Sequence, residues 1–255
     1  MEHATTGVAI LELSITGAIL FSIFLARGGK EFFLRKIAAF SVIDDAIGRA
    51  VEMGRPILFS AGLSGLGVTF FQALAILSYV VRRAAEYGVR VIVPLFASDV
   101  YPLTEEVCKE AYRAAGRLEE YNPSDVFFLS NDQFAYASGV VGIMHRERTA
   151  THFFLGDFAA ESLILAEEGH SVGAVQIAGT PSTLQLPFFV AACDYTLIGE
   201  EYYAASAYVS REPILVGSIK GQDLGKIILL LLSLSGVIGM TLGGKMAIIF
   251  QNLFR

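Results

Sequence analysis

The chain has 255 residues, of which 54% are hydrophobic and only 17% are charged, and its mean hydropathy is +0.56. Soluble domains carry roughly 25% charged residues, so this composition is typical of a protein with membrane segments. Residues 37–222 contain 12 Lys and Arg against 21 Asp and Glu, a net charge of −9. Nucleic-acid binding requires clustered basic residues, so this acidic balance argues against nucleic acid as a partner.

The first predicted element is an uncleaved transmembrane helix over residues 7–26. The segment has 20 residues with a single charge, Glu12, and roughly 20 apolar residues are needed to cross a bilayer. No Lys or Arg precedes it, whereas four basic residues follow it: Arg27, Lys30, Arg35 and Lys36. Because basic residues stay on the cytoplasmic side, we expect the N-terminus outside. We interpret Glu12, near the outer end of the span, as a hydrated or partner-bonded carboxylate.

A connector at residues 27–50, amphipathic from residue 32, leads into a predicted cytoplasmic α/β domain at residues 51–222. Short apolar runs recur there at residues 56–61, 89–96, 126–130, 152–155, 172–178, 195–198 and 214–217. Helical patterns lie between them at residues 69–87, 104–115, 132–144, 158–168, 181–193 and 201–209. This alternation predicts a three-layer, Rossmann-like α/β domain with a mostly parallel sheet whose strands are buried on both faces.

A second transmembrane helix is predicted over residues 227–244, which are uncharged and lie between Lys226 and Lys245. Its small residues Gly236 and Gly239, like Gly17 of the first span, are suited to close helix packing. An apolar tail follows at residues 245–255. The two spans predict a protein of the cell membrane, with both termini outside and the central domain cytoplasmic.

Polar residues follow the predicted strands, and in a parallel sheet these positions form one edge, which we call the carboxyl rim. Ligands of open α/β sheets bind at that edge. The candidate ligand-binding residues are Gly62, Ser64, Gly65, Gly67, Asp99, Asn131, Asp132, Asp157, Thr180, Ser182 and Glu200. The alternative is that each one caps a helix or lies in its first turn, with Thr180 as a cap and Pro181 as the first helical residue.

The segment from Gly62 to Gly67 is the candidate for a phosphate cradle at a helix start. Its spacing, G-x-x-G-x-G, differs from the dinucleotide pattern and lacks a Walker lysine, so a tight turn is the alternative. Ser64 misses the G-x-S-x-G nucleophile pattern by one residue. The four histidines, at positions 3, 145, 152 and 170, lie away from the predicted rim, and no Cys/His spacing is typical of a metal site. The sequence therefore leaves cofactor and reaction undetermined.

Several longer stretches carry a resemblance to a known family. They are LSNDQFAYASGVVGIMHRE (129–147), GDFAAESLILAE (156–167), QIAGTPSTLQLPFF (176–189), ACDYTLIGEEYYAASAYVSREP (192–213) and GSIKGQD (217–223). Together with the terminal spans, they resemble an uncharacterised membrane-anchored family of bacteria and archaea, catalogued as a domain of unknown function. The resemblance supports the topology and implies no catalytic or binding residue.

Two functions are compatible with these features. Residues 134–144 and 184–193 are apolar around nearly the whole helix, which is typical of burial in a core or an assembly. They favour a homo-oligomeric scaffold or binding module held in the lipid bilayer. The alternative is an enzyme or sensor that binds a nucleotide or another small phosphorylated ligand at the carboxyl rim. Transport through an assembly of several subunits is a third possibility, and whether the protein is an enzyme stays open.

Overall fold

A computed structural model describes residues 6–30, 32 and 38–242, which belong to two compact units. The helices are α1 (Thr6–Arg27), α2 (Ala38–Met53), α3 (Val68–Glu86), α4 (Tyr101–Ala114), α5 (Gln133–Glu147), α6 (Glu161–Ser171), α7 (Leu186–Ala192), α8 (Glu201–Ser210) and α9 (Pro213–Leu242). The strands are β1 (Ile57–Gly62), β2 (Val91–Leu95), β3 (Val126–Phe128), β4 (Thr151–Asp157), β5 (Val175–Thr180) and β6 (Tyr195–Ile198). The predicted tail at 245–255 and residues 31 and 33–37 of the connector lie outside the described residues.

The α/β unit contains one six-stranded sheet in the order β3-β2-β1-β4-β5-β6, and every neighbouring pair is parallel. This is the strand order of a doubly wound Rossmann-type sheet. The prediction of an α/β fold with a parallel sheet is therefore confirmed. The order reverses direction between β1 and β4, which are neighbours in the sheet although 88 residues separate their ends in sequence.

Two hydrophobic clusters, one on each face of the sheet, explain the continuous apolar runs. Along β1, the side chains of Ile57 and Phe59 enter one cluster, and Leu58 between them enters the other. Helices α2, α3, α4 and α8 cover the first face, and α5, α6 and α7 cover the second. Because the four inner strands β1, β2, β4 and β5 are buried on both sides, they do not need alternating polar positions.

Three helices of the described residues are long and apolar enough to cross a membrane: Gly7–Arg27, Val68–Glu86 and Pro213–Thr241. The first contains the predicted span at 7–26, and the last includes residues 227–241 of the predicted span at 227–244, whose final two residues lie outside the described part of the chain. The second is α3, which buries nine side chains in the domain core and accepts a hydrogen bond of 2.7 Å from Tyr202 Oη at the carbonyl of Thr69. Its apolar composition is thus accounted for by core packing.

Helices α1 and α9 pack as an antiparallel hairpin through three glycines of α9. The contacts are Gly217 with Ile23, Gly221 with Ile19, and Gly225 with Ile15. A Cβ on Gly221 would lie 2.4 Å from the Cα of Ile19, so the backbones meet where only glycine fits. The expected packing residue Gly17 has no neighbour within 4 Å of such a position. The i, i+4 spacing of these three glycines is the sequence pattern that could have predicted the close packing of α9 on α1.

In this hairpin the two predicted spans do not lie side by side but are shifted relative to each other along the helix axes. Extending the contact register along both helices sets residues 7–26 beside about residues 214–233 of α9, rather than beside 227–244. The α9 segment beside α1 therefore carries Lys220, Asp223 and Lys226, of which Lys220 Nζ and Asp223 Oδ2 are 3.6 Å apart.

Two predicted elements are wrong. The strand expected at 214–217 is the first turn of α9, where Pro213 suits the first helical position and Gly217 packs on α1. The helix expected from Pro181 begins only at Leu186. The Oγ1 of Thr180 accepts the amide of Ser182 at 3.2 Å, a local turn that competes with helix formation.

A buried polar pair joins β4 and β5. His152 and Gln176 are paired in the strand register, and both are fully buried. The His152 Nε2 lies 2.6 Å from Thr149 Oγ1, and Gln176 Nε2 donates to the Ala166 carbonyl at 2.8 Å. Their remaining polar atoms, Nδ1 and Oε1, share the small space beside Gly169. Burial lowers the pKa of His152 to about 3, so the ring is neutral in the folded domain.

Candidate functional site

The carboxyl rim consists of residues 62–68, 96–101, 128–134, 156–161, 180–186 and 198–201. Its centre is the reversal of strand order between β1 and β4, where ligands of this fold usually bind. Gly62 ends β1 with φ +62°, and a Cβ there would lie 2.1 Å from the Asp157 carbonyl oxygen. The amide of Leu63 donates to that same oxygen at 2.7 Å. The two loops are therefore in direct backbone contact at the centre of the rim.

Ser64 fastens these two loops together. Its Oγ donates to the Ala61 carbonyl at 2.7 Å and accepts the Asp157 amide at 2.8 Å. The side chain is only 3% exposed, and the Asp157 Oδ2 lies 3.4 Å from the same Oγ. Because the hydroxyl is engaged on both sides and the rim sequence contains no histidine to act as a base, the arrangement is that of a structural serine rather than an activated nucleophile.

The amides of the glycine-rich loop are partly used within the protein. Gly62 donates to Ser60 Oγ at 3.1 Å, Leu63 to the Asp157 carbonyl, and Ser64 to the Ala61 carbonyl at 3.3 Å. Three of the six amides between Gly62 and Gly67 thus have partners already. Gly65 lies between these bonded amides and Gly67, and Gly67 is the N-cap of α3 without any side-chain capping bond.

A chain of hydrogen bonds lies beneath the rim, and it was not predicted from the sequence. The Gly62 amide donates to Ser60 Oγ, Ser60 Oγ lies 2.8 Å from Tyr136 Oη, and Tyr136 Oη donates to the Pro94 carbonyl at 3.1 Å. Tyr136 is fully buried, and this burial raises its pKa. The available signal in the sequence was a polar residue within an apolar run, Ser60 in β1 and Tyr136 in the apolar part of α5.

Glu161 is a second residue that sequence reasoning missed. Its carboxylate is fully buried and accepts Gln133 Nε2 at 2.6 Å and the Ala159 amide at 2.9 Å. These bonds link the first residues of α5 and α6. A buried carboxylate with two donors is a satisfied structural group, so Glu161 holds two rim loops in place.

The other candidate residues are spread along the rim. Asp132 caps α5 by accepting the Ala135 amide at 2.9 Å, as the capping alternative expected. Thr180 is buried in the local turn with Ser182. The exposed candidates on separate loops are Asp99, Asn131 and Glu200. Of all the candidates, the structure brings Gly62, Ser64 and Asp157 into direct contact, with Gly65 and Gly67 in the same loop.

All charged residues of the carboxyl rim are acidic. Its six segments contain no Lys, Arg or His. They contain six acidic residues: Asp99, Asp132, Asp157, Glu161, Glu200 and Glu201. Phosphate groups are bound in proteins largely by charge-assisted hydrogen bonds from basic side chains, and the rim segments supply none.

Large apolar side chains are exposed on the same rim. Leu184 is 79% exposed and Val68 is 68% exposed, although each adjoins a structured element. More than half of the surface of three further side chains is also exposed: Leu66, Phe134 and Ile198. Four of the six rim segments therefore present an apolar side chain to solvent. Residues 134 and 184, expected to be buried in a core or an assembly, are not in the core of the single chain.

No curated protein and no solved structure gives a significant match to the chain. One protein family does, over residues 1–251. That length includes both terminal helices and the whole α/β unit. The chain belongs to this family, described as Domain of unknown function (DUF6754).

Proposed function

We propose that the protein is a membrane-anchored scaffold or binding module that associates with further copies of itself through the carboxyl rim. The observation that carries this proposal is the set of exposed apolar side chains on the rim, with Leu184 and Val68 the most exposed. Contiguous exposed apolar patches generally mark interaction sites, and four of the six rim segments contribute an exposed apolar side chain to one edge of the domain. The centres of homo-oligomeric interfaces are apolar and poor in charge.

The helical hairpin supports self-association independently. Glu12 is exposed on α1, and Lys220 and Asp223 of α9 keep roughly two fifths to half of their side-chain surface exposed. Ionisable residues within membrane segments almost always face other helices or water rather than lipid. Packing of several hairpins would provide such surroundings for all three.

A phosphorylated ligand at the rim is the less favoured candidate. The rim has no basic side chain, and the Asp157 carboxylate lies beside the glycine-rich loop. Three amides of that loop donate within the protein. Such a ligand would need a cation to offset the repulsion, so we assign the rim to an apolar contact.

We further propose that the protein lies in the cell membrane with both termini outside and the α/β domain in the cytoplasm. The antiparallel hairpin supports both termini on one side. Arg27 and Lys30, which follow α1 directly, support the cytoplasmic side for the domain.

Native mass spectrometry of the full chain in a mild detergent tests the proposal. We expect one discrete oligomer without added mass. The double variant Val68→Asp, Leu184→Asp should dissociate it, because charges introduced into an apolar interface are desolvated without partners. A monomeric wild-type protein would refute the scaffold, and a nucleotide-sized adduct on a monomer or dimer would favour the ligand alternative.

A matched control uses the opposite edge of the domain. Leu118 is 39% exposed in the loop before β3, so Leu118→Asp, compared with the single rim variant Leu184→Asp, adds the same charge on an exposed leucine away from the rim. This variant should keep the wild-type oligomer. Equal loss of the oligomer in the control and in the rim variant would contradict the assignment of the interface.

A further inference from the structure

A polar pocket lies at the amino edge of the sheet, opposite the carboxyl rim. Its volume is about 370 Å³, and it is lined by Arg55, His145, Arg148 and Val172. Arg55 precedes β1, His145 lies in the last turn of α5, and Arg148 lies between α5 and β4. The pocket therefore gathers three potentially cationic side chains from two loops and a helix end, and its lining includes no carboxylate.

Most arginines of the α/β unit are neutralised by a carboxylate. Among its described residues, six arginines form such ion pairs: Arg82, Arg83, Arg90, Arg113, Arg117 and Arg146. Within the same residues, Arg49, Arg55 and Arg148 have no carboxylate within 4.0 Å. Two of these three line the pocket. An excess of positive charge is thus concentrated at one position.

One carboxylate that is not part of the pocket lining contacts a lining residue, His145. Glu168 Oε2 lies 3.0 Å from His145 Nε2, and both side chains are about half exposed. This pair engages the histidine and leaves the two guanidinium groups of the pocket available. The two arginines therefore give the pocket a net positive charge.

The backbone at Arg148 provides a second observation. Arg148 follows α5 in the left-handed conformation, with φ +51° and ψ +48°. Glycine usually occupies this position, and a residue with a Cβ costs on the order of 1 kcal/mol there. Residues held in sparsely populated backbone regions cluster at active sites and ligand-binding sites. Arg148 combines such a backbone conformation with a place in the lining of the cationic pocket.

We propose that this pocket binds a phosphate group, either as free phosphate or as the headgroup of an anionic lipid. Guanidinium groups match the geometry of phosphate oxygens and can each donate two hydrogen bonds. A volume of about 370 Å³ is within the size range of small-ligand sites. The site is separate from the rim and does not depend on self-association.

The first test titrates the full chain in mild detergent with inorganic phosphate and follows the thermal unfolding midpoint and the heat of binding. We expect saturable binding. Arg55→Gln and Arg148→Gln should each weaken it about tenfold or more, as expected for loss of a charge-assisted hydrogen bond. Arg146→Gln removes an equal charge from the same helix end, where Arg146 is paired with Glu147, and should leave binding unchanged.

The same titration with soluble dihexanoyl phosphatidylglycerol distinguishes the two sources. Binding at least tenfold tighter than that of inorganic phosphate would identify a lipid headgroup as the ligand. Equal or weaker binding would identify free phosphate. If neither compound bound saturably, or if Arg146→Gln weakened binding as much as Arg148→Gln, the proposal would be overturned.

Arg148→Gly separates a binding role from a folding role. Glycine relieves the left-handed strain, so the variant should unfold at a higher temperature than the wild type. It should also bind the phosphate probe about tenfold or more weakly. A variant that gained stability and kept the wild-type affinity would show that the Arg148 side chain takes no part in the site.

Discussion

The two edges of the sheet differ in charge, in polarity and in how tightly their loops pack. The carboxyl rim has six acidic and no basic residues, exposes apolar side chains, and is closed by the contact between Gly62 and Asp157. The amino edge carries the arginines, most of them in ion pairs, and includes an open cationic pocket. One α/β domain therefore presents two surfaces suited to unlike partners, an apolar partner at the carboxyl rim and an anionic partner at the amino edge.

The largest expected effect compares glycines in the left-handed region at the two edges. At the rim, Gly62→Ala would place a Cβ 2.1 Å from the Asp157 carbonyl oxygen, whereas Gly88 at the amino edge has φ +71° and nothing within 4 Å. We expect Gly62→Ala to lower the free energy of unfolding by about 3 kcal/mol or more, and Gly88→Ala by about 1 kcal/mol. Chemical denaturation of both variants measures the difference.

Similar losses in the two glycine variants would show that the rim loops can separate freely. In that case the closed contact at the centre of the rim would not be a stabilising feature. The proposed difference in loop packing between the carboxyl rim and the amino edge would then be refuted.

The next effect concerns His152 near the start of β4. Its pKa is about 3 in the folded domain, because burial disfavours the charged ring, against 6.5 ordinarily. Between these values the unfolded chain binds a proton that the folded chain does not, so stability falls as the pH drops below about 6.5. At pH 5 we expect His152 to cost about 2 kcal/mol relative to pH 7.5.

Denaturation midpoints of the wild type, His152→Asn and His170→Asn between pH 7.5 and pH 5 measure this effect. The first variant should lose most of the pH dependence, whatever its stability at pH 7.5. His170 is exposed at the end of α6, so the second variant should behave as the wild type. An unchanged acid sensitivity in His152→Asn would assign it to other groups.

The smallest effect is that of salt on self-association. If rims meet one another, their exposed carboxylates, including Asp99, Asp157 and Glu200, approach each other and repel. Salt screens this repulsion. We therefore expect the dissociation constant to fall about two- to threefold between 50 and 500 mM NaCl, as measured by mass photometry in detergent. Weaker association at high salt would indicate that the rim meets a basic surface instead.

The fold followed from the sequence where local signals agreed with tertiary packing. The runs that became β1 to β6 were identified because strands buried on both faces are continuously apolar. The run at 214–217 has the same composition and is helical, since Gly217 packs against α1. The start of α7 was misplaced because Thr180 and Pro181 carry a helix-cap signal that the Ser182 turn overrides.

The candidate site was predictable only in outline. Residues after the strands could be assigned to one rim, and Asp132 could be suspected as a cap, because both inferences depend on short stretches of chain. The contact of Ser64 with Asp157 joins residues 93 positions apart, and the Ser60–Tyr136 bond joins residues 76 positions apart. Nothing in either local sequence indicates such a partner.

Local sequence alone accounts for the charges at the helix ends, with carboxylates near the starts of several helices and arginines near the ends of others, as the helix dipole favours. The gathering of these charges at two separate edges of the domain depends on the tertiary fold. Parallel winding places the starts of α3 to α8 at one edge of the sheet. Their acidic residues thereby form the rim, while the arginines that end α3, α4 and α5, or follow them, gather at the other edge.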